Sequence, residues 1–168
     1  MSGRRIDILP HLLALGVLTT TGANALAASF AVHGHWTVLP YPTACAALNR
    51  PPEEFNVAPF NALSIRQRRG AHPVLQVWAW PNVFKPGQVV TITMSINGTR
   101  IALPAEAMDS YFAEAKGPLP TELLALLRGA RVAEVELTGV SQLLLFDISQ
   151  LDAVLASLDA CERQLPKT

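Results

Sequence analysis

The strongest constraint on the fold is a hairpin signal in residues 88–103. Apolar and polar side chains alternate strictly from residue 90 up to the dipeptide Asn97-Gly98. Alternation with a period of two is typical of a half-buried strand, and Asn-Gly is the preferred sequence of a two-residue type I′ turn. Pairing across this turn puts Met94 opposite Ile101, so that apolar side chains meet on one face. The segment therefore predicts an antiparallel β-hairpin.

Other segments extend this prediction to a whole domain. Strands are predicted at 35–39, 44–48, 62–66, 74–80, 131–138 and 143–146. Apolar residues at helical spacing predict helices at 104–115, at 121–128 and from 149 to about 161. We therefore predict an α+β fold with a mainly antiparallel, sandwich-like β core, two short helices in the middle of the chain and a C-terminal helix packed on one face.

The N-terminus has the three-part layout of a secretory signal peptide. Arg4 and Arg5 precede an apolar run at 12–18, and small residues follow up to Ala27. The run is shorter than the roughly 20 residues that a transmembrane helix needs. We therefore predict a signal peptide at 1–27, cleavage after Ala27, a single domain at 28–168 without a transmembrane segment, and a periplasmic or secreted location.

Cysteine usage fits export. The chain has two cysteines, Cys45 and Cys161. Because an exported protein enters an oxidising compartment, a disulfide between them is the favoured prediction, and two separate buried thiols are the alternative. The formal net charge is zero. Since nucleic-acid binding relies on clustered positive charge, we predict no nucleic-acid partner.

A tryptophan-bearing strand is the first candidate binding surface. Period-two alternation puts Gln76, Trp78 and Trp80 on one face of the strand at 74–80. If exposed, this face could bind a sugar, a peptide or a partner protein. If buried, it is part of the core under a helix, which is the favoured interpretation.

An arginine-rich turn is the second candidate. Arg66, Arg68 and Arg69 lie at or near the end of the strand that begins at residue 62. Guanidinium groups at a turn could bind a phosphate or a carboxylate of a partner. A solvated loop is the alternative and the favoured interpretation.

The pattern that most resembles a metal site is His33-Gly34-His35, which could present two imidazoles on one strand face. Because closed metal sites usually need three or four ligands and no second cluster follows, we predict no metal, and likewise no cofactor. No catalytic motif surrounds the histidines, so we name no catalytic residue. An enzyme with an unrecognised site around His33, His35 and Glu53 remains an alternative hypothesis.

The order of features resembles a known family. The chain combines an early tryptophan strand (residues 35–38), a Phe84-Lys85-Pro86-Gly87 segment that leads into the hairpin, a leucine-rich helix at 123–127 and a strand-to-helix junction at 146–149. In this order it resembles the invasion-associated locus B family of small periplasmic or secreted alphaproteobacterial proteins. The resemblance implies a β-rich envelope domain without known chemistry, linked in some members to host-cell invasion.

Together these features favour a binding function. We predict an exported, non-enzymatic interaction domain of the bacterial cell envelope whose partner is another protein of the envelope or of a host surface. Two alternatives stay open: a periplasmic enzyme, and an accessory subunit of a larger envelope complex.

Overall fold

The computed structural model describes residues 31–81 and 83–166. The predicted signal peptide and its cleavage site lie outside the described residues. Within these residues, no helix is both long enough and apolar enough to cross a bilayer.

The described part of the chain is mostly β-structure. The strands are β1 (Ala31–His33), β2 (Trp36–Pro40), β3 (Ala44–Leu48), β4 (Ala62–Arg68), β5 (Val74–Trp78), β6 (Val89–Ile96), β7 (Thr99–Ala107), β8 (Phe112–Ala115), β9 (Val132–Leu137) and β10 (Leu144–Asp147). The helices are α1 (Thr121–Arg128), α2 (Leu151–Gln164) and a short 3-10 helix, Pro52–Glu54. This composition agrees with the predicted α+β class.

All ten strands form one antiparallel sheet in the order β1-β2-β3-β4-β5-β8-β7-β6-β9-β10. The strand order gives one sheet and does not confirm the sandwich-like detail of the predicted core. The sheet curls strongly: the side-chain Nδ2 of Asn49, just after β3, donates a hydrogen bond to the backbone carbonyl of Asp147 in β10. The curl lets one continuous core form between distant strands, which the local alternation of the sequence does not reveal.

The predicted hairpin and its residue pairing are confirmed. Met94 pairs with Ile101, and the β6–β7 pairing runs up to Ile96 opposite Thr99. Asn97 and Gly98 have φ values of 50° and 81°, as a type I′ turn requires. Local turn chemistry and side-chain alternation therefore decided this part of the fold.

The predicted helix at 104–115 is wrong, because this segment forms the end of β7, a turn and β8. The alanines on the predicted helical stripe also satisfy a period of two, and they are buried as strand residues. Asp109 accepts hydrogen bonds from the amides of Tyr111 and Phe112 and so fixes the turn. The carbonyl of Pro104 accepts a hydrogen bond from the backbone N–H of Lys116, just past the end of β8. The missing N–H of Pro104 faces the same side, so it falls at the end of the β7–β8 pairing and removes little of the ladder.

One face of the sheet, here called the inner face, carries the core. Helix α2 lies against β1, β2, β3 and β4, and its buried residues Leu151, Val154 and Leu158 join the core cluster. Cys161, on the same stripe of α2, forms the predicted disulfide with Cys45 of β3. The bond ties the last helix to the third strand.

The opposite, outer face is partly covered by the segment at 49–61, here called the proline loop. Phe55 and Phe60 of this loop pack on Leu39, Ala46 and Leu48. This satellite cluster lies beneath the loop, as expected for small apolar clusters outside the main core. The proline loop therefore covers the part of the outer face formed by β2 and β3.

Candidate functional site

The outer face carries a cleft over β3, β4 and β5, here called the tryptophan cleft. It has a volume of about 280 Å³, and its lining includes Tyr41, Thr43, Arg66, Gln76 and Trp78. These side chains share a face because strand residues two apart point the same way. The register brings Ser64 opposite Gln76 and Ala62 opposite Trp78 on neighbouring strands.

A row of polar side chains crosses the floor of the cleft. The Ser64 hydroxyl donates to Gln76 Oε1 at 3.3 Å, and Gln76 Nε2 donates to Glu114 Oε2 at 2.7 Å. Arg66 Nη2 donates to the other oxygen, Oε1, at 2.7 Å. Ser64 and Gln76 are only 1% and 6% exposed. Because unpaired polar groups are costly to bury, this row is fixed by its own hydrogen bonds.

Aromatic contacts hold the wall of the cleft. Trp78 stacks on Phe112 of β8 with ring centroids 4.4 Å apart, and Phe60 of the proline loop meets Trp78 edge-on at 5.8 Å. Both geometries are favourable for aromatic pairs. Trp78 is therefore a rigid, half-buried side chain, not a freely rotating one.

Two buried N–H donors of the lining side chains have no hydrogen-bond partner among the described residues. They are Nε of Arg66 and Nε1 of Trp78. A buried donor without an acceptor costs about 1–3 kcal/mol. Both atoms are closed off from solvent, so a group bound in the cleft as it stands does not reach them. What suits the cleft to binding is its mixed lining of an aromatic ring, apolar side chains and a fixed polar row.

The six sequence-predicted binding residues do not all meet. Arg66, Gln76 and Trp78 lie together in the tryptophan cleft. Trp80 is 41% exposed, beyond the end of β5, where its backbone amide donates to Asn61 Oδ1. Arg68 is exposed at the end of β4.

Arg69 contacts the C-terminal helix and not the cleft. Its guanidinium donates to the carbonyl of Leu165, just after α2, and the amide of Gly70 donates to Glu162 of that helix. The carbonyls at the end of a helix lack partners within the helix, so an arginine there satisfies one of them. The arginine turn therefore anchors the C-terminal helix.

Sequence reasoning missed Tyr41, Phe112 and Glu114. Phe112 and Glu114 alternate with the buried Ala113 and Ala115. This period of two indicates a strand with Phe112 and Glu114 on the same, outer face. No sequence pattern marks Tyr41 as a binding residue; it simply lies between Pro40 and Pro42. Burial raises the pKa of its phenol above the ordinary value of 10.0.

The two histidines do not share a strand face, which corrects the expected geometry of a metal pair. His33 ends β1 and its Nε2 lies 2.8 Å from Ser157 Oγ of α2. His35 follows the turn and its Nε2 lies 3.8 Å from Asp147 Oδ2. The part of the chain that the structure describes contains no group of three or more metal-ligating side chains.

Asp147 gives a pH-dependent prediction. Hydrogen bonds from Ser149 lower the pKa of Asp147 below 3.8, and the nearby charges of His35 and Arg131 act in the same direction. Because the folded-state pKa is depressed, the stabilisation is present above the unfolded pKa and is lost as the pH falls through the folded one. We expect a carbon-13 NMR titration of Asp147 to have its midpoint below 3.8. Ser149→Ala should move this midpoint upward, and equal midpoints in both proteins would contradict the assignment.

No family model, curated protein or solved structure matches the chain.

Proposed function

We propose that this chain is an exported, non-enzymatic binding domain of the bacterial cell envelope that captures another protein through the tryptophan cleft. Three observations support the proposal: the signal-like N-terminus, a disulfide of the kind found in oxidising compartments, and the resemblance to the invasion-associated locus B family. That resemblance offers contact with a host surface as one setting for the interaction.

The observation that carries the proposal is the lining of the cleft. The half-buried ring of Trp78 and the apolar side chains of Ala46 and Leu48 lie beside a row of polar side chains, Ser64, Gln76 and Arg66. An apolar side chain of a partner can pack on the ring and the aliphatic surface, while neighbouring polar groups of the partner meet the polar row.

The size of the cleft is enough for one anchoring side chain of a protein partner. The cleft has a volume of about 280 Å³, near the lower end of the roughly 300–1,000 Å³ of small-molecule sites. Single anchoring side chains carry much of the energy of protein interfaces.

A blocking variant tests the proposal without disturbing the fold. Thr43 is exposed and lines the cleft, so Thr43→Arg should fill it while leaving the melting temperature nearly unchanged. A photo-crosslinking residue at Thr43 should give one discrete adduct in the native envelope. The same residue at Thr99, exposed on the hairpin, should not. Equal adducts from both positions, or none from either, would contradict the proposal.

Tryptophan variants give a further expected result. Trp78→Ala should abolish the adduct and cost about 2–3 kcal/mol of stability, because it removes the stack on Phe112. Trp80→Ala is the matched control. Trp80 lies outside the lining of the cleft and is partly exposed, so this variant should keep both the adduct and the melting temperature. Loss of the adduct in Trp80→Ala alone would move the site to the end of β5.

A further inference from the structure

The last strand of the sheet has a free edge. In the described residues, β10 pairs only with β9. The amide of Ile148 donates to Arg131 on the β9 side, whereas the carbonyl of Asp147 accepts from Asn49 on the other side. Since backbone groups of alternate strand residues point to the same side, the N–H and C=O groups of Leu145 point away from β9. Leu143, the residue just before β10, continues this alternation if a further strand extends the pairing.

A groove runs along this free edge. It has a volume of about 470 Å³, and the proline loop forms its opposite wall with Pro51, Glu54 and Pro59. Leu143 and Leu145 are large apolar side chains of this edge, 47% and 64% exposed. An exposed strand edge is a template for pairing with another chain unless it is blunted or covered.

Asn49 limits how much of the edge is free. Its side chain is buried and its amide already donates to the carbonyl of Asp147. A further strand would therefore pair with Leu143 and Leu145 and end near Asp147.

The charges beside the groove favour a bound segment that carries a basic residue. The lining contains the carboxylates of Glu54 and Asp147 and the guanidinium of Arg50, which pairs with Glu54. Glu134 adds a carboxylate, because it lies opposite Leu145 on β9. Arg131 and His35 also lie near Asp147, so the three carboxylates of Glu54, Asp147 and Glu134 outnumber the two guanidinium groups of Arg50 and Arg131 by one, which favours a cation near Asp147.

We propose that this groove binds an extended peptide segment of a partner protein as an eleventh, antiparallel strand on β10, with apolar side chains beside Leu143 and Leu145 and a lysine or arginine near Asp147. Only a polypeptide in extended conformation repeats donors and acceptors at the spacing of the edge. The proline loop lines the opposite side of the groove, and a second copy would bring its own loop along with its β10, whereas a single extended segment would not. The site is separate from the tryptophan cleft, so each proposal can fail alone.

The test uses a short peptide in which the backbone N–H groups that face β10 and those that face away from it can be methylated separately. The probe is acetyl-KTVTV-amide, titrated into nitrogen-15-labelled protein. In antiparallel register its central valine faces Leu145, its last valine faces Leu143 and its lysine lies near Asp147. We expect saturable shifts of the Leu143 and Leu145 amide signals below about 5 mM, as befits a weak short peptide.

N-methylation separates strand addition from simple apolar contact. Methylating the two valine nitrogens removes two donors to β10, which should weaken binding about fivefold or more. Methylating the two threonine nitrogens is the matched control, because these point away from β10, and should change the affinity less than about twofold. Equal losses from both patterns would overturn the proposal, as would the absence of saturable shifts.

Protein variants complete the test. Leu145→Lys should weaken binding about tenfold through charge repulsion and lost apolar contact. Val89→Lys, at an exposed strand position outside the groove, should not change it. Thr43→Arg should also bind the peptide normally, which separates this site from the tryptophan cleft. A concentration-dependent dimer that Leu145→Lys dissolves would show that a second copy occupies the edge and would overturn the peptide proposal.

Discussion

Replacing both Cys45 and Cys161 by alanine is expected to lower the free energy of unfolding by about 4–5 kcal/mol. The disulfide joins residues separated by 116 positions. Chain-entropy estimates for a loop of this length give about that figure, because the cross-link restricts the unfolded chain far more than the folded one. Net stabilities of small domains are about 5–15 kcal/mol, so this loss is a large share of the total.

Urea unfolding followed by tryptophan fluorescence measures the change. The wild-type protein in a reducing agent is the control, and it should lose a similar amount, since both preparations lack the same bond. Without the bond, α2 is held mainly by the packing of Leu151, Val154 and Leu158, and it should exchange its amide hydrogens faster than β6 and β7 do. A change of less than about 1 kcal/mol would contradict the assigned role of the bond.

Arg50→Ala is expected to cost about 3 kcal/mol and to release the proline loop. The Arg50 side chain is only 13% exposed, and its guanidinium donates to the carbonyls of Glu54, Val57 and Asn61. It also lies 5.1 Å from the centroid of the Phe60 ring. Hydrogen bonds from charged groups contribute about 1.5–3 kcal/mol each, and partial exposure reduces their sum.

Two control variants make the Arg50 experiment specific. Arg50→Lys should recover little of the loss, because an ammonium group cannot reproduce the planar fork of a guanidinium that reaches three carbonyls. Arg128→Ala removes an exposed ion pair with Asp152 and should change stability by less than about 1 kcal/mol. If Arg50→Ala and Arg128→Ala cost the same, the proline loop is held by its apolar contacts alone.

The Arg50 experiment also bears on both proposed sites. The proline loop supplies Phe60 to the wall of the tryptophan cleft and supplies Pro51 and Pro59 to the groove beside β10. A released loop should weaken the binding of acetyl-KTVTV-amide and reduce the adduct at Thr43. The same arginine thus positions two surfaces that face different ligands.

The candidate site was only partly visible in the sequence. Period-two alternation grouped Gln76, Trp78 and Trp80. The structure keeps Gln76 with Trp78, because side-chain direction along a strand is a local property, but β5 ends at Trp78 and leaves Trp80 outside the cleft. The alternation could not show that Arg66 reaches Glu114, which is 48 residues away in the chain. Glu114 was assigned to a helix, because a short alanine-rich segment can satisfy both the helical and the strand period.

The sequence by itself determined the features that depend on neighbouring residues. The Asn97-Gly98 turn fixed the register of β6 and β7, and the leucine pattern of 121–128 gave α1 in its observed place. The two cysteines limited a disulfide to one pairing, and the structure contains that bond. The turn and the helix follow from local geometry, and the cysteine count left one pairing to choose.

Only the tertiary structure decided which strands became neighbours. The chain leaves β5, forms the β6–β7 hairpin and returns so that β8 pairs with β5. That return joins Gln76 to Glu114 and Trp78 to Phe112. The curl of the sheet then brings the proline loop opposite the edge of β10. Such non-local pairings are selected by burial of the whole core rather than by any short segment, so the cleft and the groove emerge only when the chain is folded.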